Sequence, residues 1–148
     1  MMIIRCVVLL LFFTGSRCWA LMPTELMCDL YAKPGLMTNA MERPDFSWCF
    51  KQGEPGDAQT GYQIQVATET RLLRVDAPDL WDSGRVASAQ SLFIGYCGTT
   101  LPVGRQICWR VRVWNRRGAA GPWSYTAAFI QAAGTGADVS MQIGRAHV

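Results

Sequence analysis

The sequence predicts an all-β fold, an antiparallel two-sheet sandwich of about seven short strands. Three observations carry this. Apolar residues recur with period two in several separate runs. Gly, Pro, Asn and Asp turn signals punctuate the chain every ~10–15 residues. No stretch shows the 3.6-residue period of an amphipathic helix.

In chain order, Leu26, Cys28 and Leu30 alternate with more polar neighbours until Pro34-Gly35 ends the run. Phe46, Trp48 and Phe50 alternate with Ser47, Cys49 and Lys51. Residues 52–57 hold two Gly and a Pro and read as a loop. Tyr62, Ile64 and Val66 alternate with Gln63, Gln65 and Ala67. Residues 68–80 are mixed, with Pro78 as a breaker. Leu92, Ile94 and Tyr96 form the next alternating run, closed by Gly98 and Pro102-Val103-Gly104. Ile107, Trp109, Val111 and Val113 place one apolar row opposite Cys108, Arg110 and Arg112. After the turn at residues 115–121, Trp123 to Phe129 supplies the last strand. Trp48 and Trp109 lie on the apolar parity of their strands, so both are assigned to the core, contributed by opposite sheets. Trp114 has the opposite parity and should face outward or sit at the strand end. With Trp81 and Trp123 it forms the set of candidate surface residues for sugar contact.

The ends read differently. Residues 1–20 have the form of a secretory signal peptide: Arg5, the apolar run Cys6 to Phe13, then Cys18-Trp19-Ala20. The run is too short to span a bilayer stably. A sandwich is therefore expected over residues 24–131, in an exported, extracellular protein. The Ala/Gly/Thr-rich residues 132–142 read as a linker. Ile143-Gly144-Arg145-Ala146-His147-Val148 matches the translation of a sequencing adapter, so the natural chain is expected to be longer.

The formal charge of +3 is carried by those ends. Without Arg5, Arg17 and Arg145, eleven Lys+Arg balance eleven Asp+Glu, which argues against nucleic-acid binding. Arg105, Arg110, Arg112, Arg116 and Arg117 form the one basic cluster and read as a solvated sheet face. Setting aside His147 removes the one histidine, and with it any Ser-His or Cys-His nucleophile pair. Cys28, Cys49, Cys97 and Cys108 lack zinc-knuckle spacing, and export permits disulfides with three possible pairings. Asp76, Asp79 and Asp82 are close in sequence, but they surround a Pro78 turn, where Asp serves as a backbone cap. A catalytic carboxylate pair or a Ca²⁺ loop is the lesser reading of them. Phosphate loops and nucleophile elbows are absent from the sequence, and neither a cofactor nor a metal is expected.

Six motifs in order carry a family resemblance. They are Lys33-Pro34-Gly35-Leu36, Arg43-Pro44-Asp45-Phe46-Ser47-Trp48, Gln59 through Ala67, Trp81-Asp82-Ser83-Gly84-Arg85-Val86-Ala87-Ser88, Tyr96-x-Gly98-x-x-Leu101, and Trp109 to Trp114 with Gly118 and Trp123-Ser124. Together they resemble the N-terminal fibronectin-III-like module of secreted α-L-rhamnosidases, glycoside hydrolase family 78. The resemblance implies a fibronectin type III or immunoglobulin-like sandwich. It also implies an accessory role beside a downstream (α/α)6 catalytic barrel, which carries the catalytic carboxylates of an inverting hydrolase. No residue here matches those carboxylates, so the chain alone is expected to have no catalytic residues. The implied partners are that catalytic domain and a rhamnose-containing glycan. The competing class is a free-standing secreted carbohydrate-binding or adhesion module, or a receptor ectodomain fragment. In a fibronectin-III-like arrangement the strands of Cys49 and Cys97 are neighbours and both Cys oppose the core parity, which makes Cys49–Cys97 the expected bridge if one forms.

Overall fold

A computed structural model describes residues 20–29, 37–38, 43–51 and 53–132. The leader apart from Ala20, Leu30, the Lys33–Leu36 turn, the linker beyond Ala132 and the tail with His147 lie outside them.

Among the described residues, eight strand segments and one helical turn follow in the order β1 Pro23–Cys28, β2 Met37–Thr38, β3 Asp45–Phe50, β4 Gly61–Ala67, α1 Thr70–Arg74, β5 Trp81–Asp82, β6 Ile94–Gly95, β7 Gln106–Trp114 and β8 Ala127–Gln131. They form two facing sheets, β1-β3-β6 and β2-β8-β7-β4-β5. All pairings are antiparallel except the two-residue β2, which runs parallel to β8.

The long pairing is β4 with β7, in register from Gly61↔Trp114 to Ala67↔Cys108. Period two then sorts the pairs by face. Tyr62↔Val113, Ile64↔Val111 and Val66↔Trp109 point inward, and all six are buried. Gln63↔Arg112 and Gln65↔Arg110 point outward.

Trp48 and Trp109 come from opposite sheets and are each only 1% exposed. They do not stack on each other. Trp109 lies 4.5 Å from the ring of Phe46, and Trp48 lies 5.5 Å from that of Tyr62. Phe46 is the hub, also meeting Trp81, Tyr96 and Phe129 at 6.1–6.4 Å. The Trp48 indole N–H donates to Gln59 Oε1 at 3.1 Å, and Gln59 Nε2 donates to the carbonyls of Ser88 and Gln90. Buried Gln59 thereby satisfies a core donor and ties down the 88–90 loop.

Four local expectations are corrected. Residues 68–80 contain a helical turn, α1, which seats Leu73 against Ala67 and Cys108 on the outer face of the large sheet. The expected 92–96 strand is reduced to Ile94–Gly95, because Phe93 adopts φ +55 and its N–H turns to the Ser47 hydroxyl at 3.0 Å. The last strand begins at Ala127 rather than Trp123. Before it, Ser124 replaces one ladder bond with its side chain: Val111 N–H donates to Ser124 Oγ, while Ser124 N–H donates to Val111 O. The opening strand starts earlier, at Pro23, and bulges between Thr24 and Met27.

Candidate functional site: the outer face of the large sheet

The β4–β7 register sets Gln-x-Gln against Arg-x-Arg, and the side chains use that match fully. Arg112 donates through Nε and Nη2 to Gln63 Oε1 at 2.9 and 2.7 Å. Arg110 does the same to Gln65 Oε1 at 3.0 and 2.7 Å. The amide nitrogens then reach the acids: Gln63 Nε2 donates to Asp82 Oδ1, and Gln65 Nε2 to Asp82 Oδ2 and Asp76 Oδ1. Arg110 closes the circuit with Asp76 at 3.1 Å.

Two indoles complete the face. The guanidinium carbons of Arg110 and Arg112 lie 4.1 and 4.6 Å from the Trp123 ring centroid. Those of Arg112 and Arg85 lie 5.1 and 4.9 Å from the Trp114 centroid. The order is a ladder, Arg110–Trp123–Arg112–Trp114–Arg85. Trp114 faces outward, as its parity requires, yet is only 8% exposed, because Gly61 opposite offers no side chain and the two guanidinium groups lie over the ring. The Arg110 side chain is 11% exposed. The basic cluster is thus not a solvated face at Arg110 and Arg112, although Arg105, Arg116 and Arg117 are exposed.

Electrostatics follow from these contacts. Burial pushes the Asp82 carboxyl up, but hydrogen bonds from Gln63, Gln65 and the Gly84 N–H, with the nearby Arg112 charge, bring it below the ordinary value. Burial lowers the Arg110 guanidinium, which Asp76 offsets in part. It stays charged.

The three candidate sugar-contact residues do not form one platform. Trp81 packs against the core, 6.3 Å from Phe46 and 5.4 Å from Tyr96. Trp114 and Trp123 belong to the ladder, each with two guanidinium groups near its ring. Asp76, Asp79 and Asp82 diverge: Asp79 caps the Thr68 N–H and hydroxyl at 2.8 and 2.6 Å, while Asp76 and Asp82 enter the Gln–Arg network. Among the described residues no His, Cys, Asp and Glu group could hold a metal, and no helix is long and apolar enough to cross a membrane.

The four described cysteines are free, and the expected Cys49–Cys97 bridge is corrected by the register. Asp45↔Gly95 and Phe46↔Ile94 place the Cys49 end of β3 beside Ser91, with Trp48 N–H donating to Ser91 O. Cys97 lies about six residues further along, roughly 20 Å at ~3.3 Å per residue, beyond the ~4.4–6.8 Å Cα separation of a disulfide.

Residues 23–133 match the family model described as the Rha78A-like, N-terminal immunoglobulin domain. The chain belongs to this family. As a member of the Rha78A-like N-terminal domain family, it is similar to an α-L-rhamnosidase of Streptomyces avermitilis, 40% identical over 81 residues. That match covers 55% of this chain and 8% of the relative. An α-L-rhamnosidase of Formosa agariphila is 34% identical over 95 residues, covering 64% of this chain and 10% of the relative. Among solved structures, the Streptomyces avermitilis α-L-rhamnosidase complexed with L-rhamnose superposes with a TM-score of 0.69 at 32% identity, over 76% of this chain and 11% of that one. The α-L-rhamnosidase of Dictyoglumus thermophilum gives 0.72 at 26% identity, over 79% and 13%. The chain spans about a tenth of the relatives it matches.

The Rha78A-like domain thus carries a fastened outer face that residue-by-residue reading missed. Its signal was present: Gln63-x-Gln65 and Arg110-x-Arg112 share the outward parity of two strands that pair antiparallel.

Proposed function

We propose that this chain is the N-terminal accessory module of a secreted α-L-rhamnosidase, shortened before the catalytic domain by an incomplete transcript. The full enzyme would release terminal α-L-rhamnose, and this module would pack beside the catalytic part without contributing a reacting group. One observation carries the reading. The domain matches rhamnosidases of which it makes up only about a tenth. The site agrees with it. The acids are bound to amides and guanidinium groups, and the outward indoles are stacked by arginine, so the fastened face offers structure rather than chemistry.

Recovering the longer transcript tests the proposal. Its product should contain a barrel of helices after residue 142 and release rhamnose from an aryl rhamnoside. Export is tested by the mature N-terminus of the secreted product, expected to follow Ala20. A stop codon or a membrane span in place of the catalytic domain would overturn the reading in favour of a free-standing or receptor module.

A further inference from the structure

The residues directly after Ala20 are already part of the fold. Burial alternates across this junction: Ala20 and Met22 are exposed, whereas Leu21 and Pro23 are buried. Leu21 is 6% exposed and belongs to the main core cluster. Backbone contacts continue from there without a break. The Lys51 N–H donates to the Met22 carbonyl at 3.3 Å, and Pro23 pairs with Phe50 between β1 and β3.

Two loops hold Leu21. A Cβ at Gly53 would stand 3.1 Å from Leu21 Cδ1, and a Cβ at Gly121 would stand 2.6 Å from the Leu21 carbonyl oxygen. Leu21 thus touches both the loop at residues 53–57 and the turn at residues 115–121, each through a glycine. The two loops are also tied to each other. Arg117 Nη2 donates to Glu54 Oε2 at 3.1 Å, and the Arg116 N–H donates to Asp57 Oδ1 at 3.2 Å. Asn115 Oδ1 accepts the N–H groups of Arg117 and Ala119, which sets the shape of the turn.

We propose that the folded module shields its own leader junction, so that the Ala20–Leu21 bond must be cut before β1 closes. The inference rests on the reading of export above. A processing peptidase grips its substrate as extended chain, through main-chain hydrogen bonds and pockets for side chains. Hydrolysis adds water across the bond, leaving a carboxylate on Ala20 and an ammonium on Leu21. On the Leu21 side, the groups such an enzyme would grip are already committed. The Leu21 side chain belongs to the core, the Met22 carbonyl to Lys51, and Pro23 to Phe50. Cleavage of the folded chain therefore waits for local opening of this end. The same contacts protect the product, because an aminopeptidase has to draw Leu21 out of the same seat.

The test makes the 148-residue chain in two ways. Synthesised in the presence of membranes that carry signal peptidase, it should be cut after Ala20. Synthesised alone, folded, and then mixed with the same peptidase in detergent, it should be cut roughly tenfold more slowly or worse, the ratio given by ~1.4 kcal/mol of opening free energy. Gly121→Ala should restore fast cutting of the folded precursor, because its Cβ displaces the Leu21 carbonyl and leaves the residues around the bond unchanged. A second measurement needs no variant. Leucine aminopeptidase should remove Leu21 from a peptide of residues 21–28 and leave it in place on the folded chain that begins at Leu21. Three results would each overturn the shielding: nascent and folded precursor cut alike, a folded Gly121→Ala precursor still cut slowly, or peptide and folded chain trimmed alike. In all three, cutting after Ala20 leaves the reading of export standing. A nascent chain that is not cut after Ala20 overturns both.

Discussion

The guanidinium carbon of Arg112 lies 4.6 Å from the ring centroid of Trp123 while the same group donates twice to Gln63 Oε1. One planar cation thus joins β7, β4 and the segment before β8. Lysine can keep the charge but not both the fork and the stack. Arg112→Lys should therefore cost ~1–3 kcal/mol. Trp123→Ala should cost a similar ~1–3 kcal/mol, since two guanidinium groups lose their ring. A double-mutant cycle in urea should show coupling of at least ~0.5 kcal/mol. Additive effects would mean that ring and cation are merely adjacent.

Phe46 touches four aromatic rings, whereas Trp48 and Trp109 do not stack on each other. Truncation to Ala at Phe46 or Trp109 should each cost ~3–5 kcal/mol, a large part of the ~5–15 kcal/mol typical of a domain. Trp48→Phe keeps much of the volume but leaves Gln59 Oε1 without its donor. It should still cost ~1–3 kcal/mol. An unchanged denaturation midpoint for Trp48→Phe would show that the hydrogen bond is dispensable.

Gly98 is required by close approach. A Cβ there would stand 2.5 Å from the Leu80 carbonyl oxygen and the Trp81 Cβ, and against the Tyr96 hydroxyl. That hydroxyl donates to Thr99 O at 2.7 Å. Gly98→Ala should lower stability by ~1–3 kcal/mol or more through overpacking. Gly84→Ala meets no neighbour but is strained by φ +61, so it should cost less. The reverse order of the two midpoints would contradict this packing.

The strands were legible where side chains alternate over a full core face. Tyr62-x-Ile64-x-Val66 and Ile107-x-Trp109-x-Val111-x-Val113 could be read directly, because burial on one side imposes period two. Reading failed where a single residue overrode the pattern. Phe93 at positive φ ends an apparent strand, and the Ser124 hydroxyl stands in for a ladder bond. The ladder was hidden for another reason. Arginines that alternate with valines look solvated until the facing strand is placed, and only the register puts glutamines opposite them. The Cys49–Cys97 expectation failed on register too: a neighbouring strand does not specify which residues face one another.

Asp82 is the acid most deeply engaged in the network, and it acts as an acceptor rather than a reactive group. The purified chain should release no rhamnose from an aryl rhamnoside. Asp82→Ala should instead lower stability by ~1–3 kcal/mol, because Gln63, Gln65 and the Gly84 N–H lose their acceptor. Turnover that Asp82→Ala abolishes would sink this assignment.

Asp82 and Asp29 should act with opposite sign on acid stability. Asp82 titrates below the ordinary carboxylate value in the folded chain. Its contribution is therefore present above the unfolded value of about 3.9 and lost as pH falls through the lower folded one. Asp29 is raised, chiefly by burial and also by the Asp45 charge, although the Asp45 N–H donates to its Oδ1 at 2.7 Å. Its Oδ2 is buried with no hydrogen-bond partner among the described residues. The folded state thus holds the Asp29 proton more tightly, and the resulting stability is present below about pH 3.9 and lost as pH rises through the raised folded value. Asp29→Asn keeps an oxygen for the Asp45 N–H and removes the buried charge. It should be more stable than the parent chain at pH 7 and lose that advantage towards pH ~3. Asp82→Asn should be less stable at pH 7 and converge with the parent chain on acidification. Urea midpoints from pH ~2.5 to 7 measure both differences. Parallel curves for the parent chain and Asp29→Asn would show that the Asp29 carboxyl titrates alike in the folded and unfolded chains.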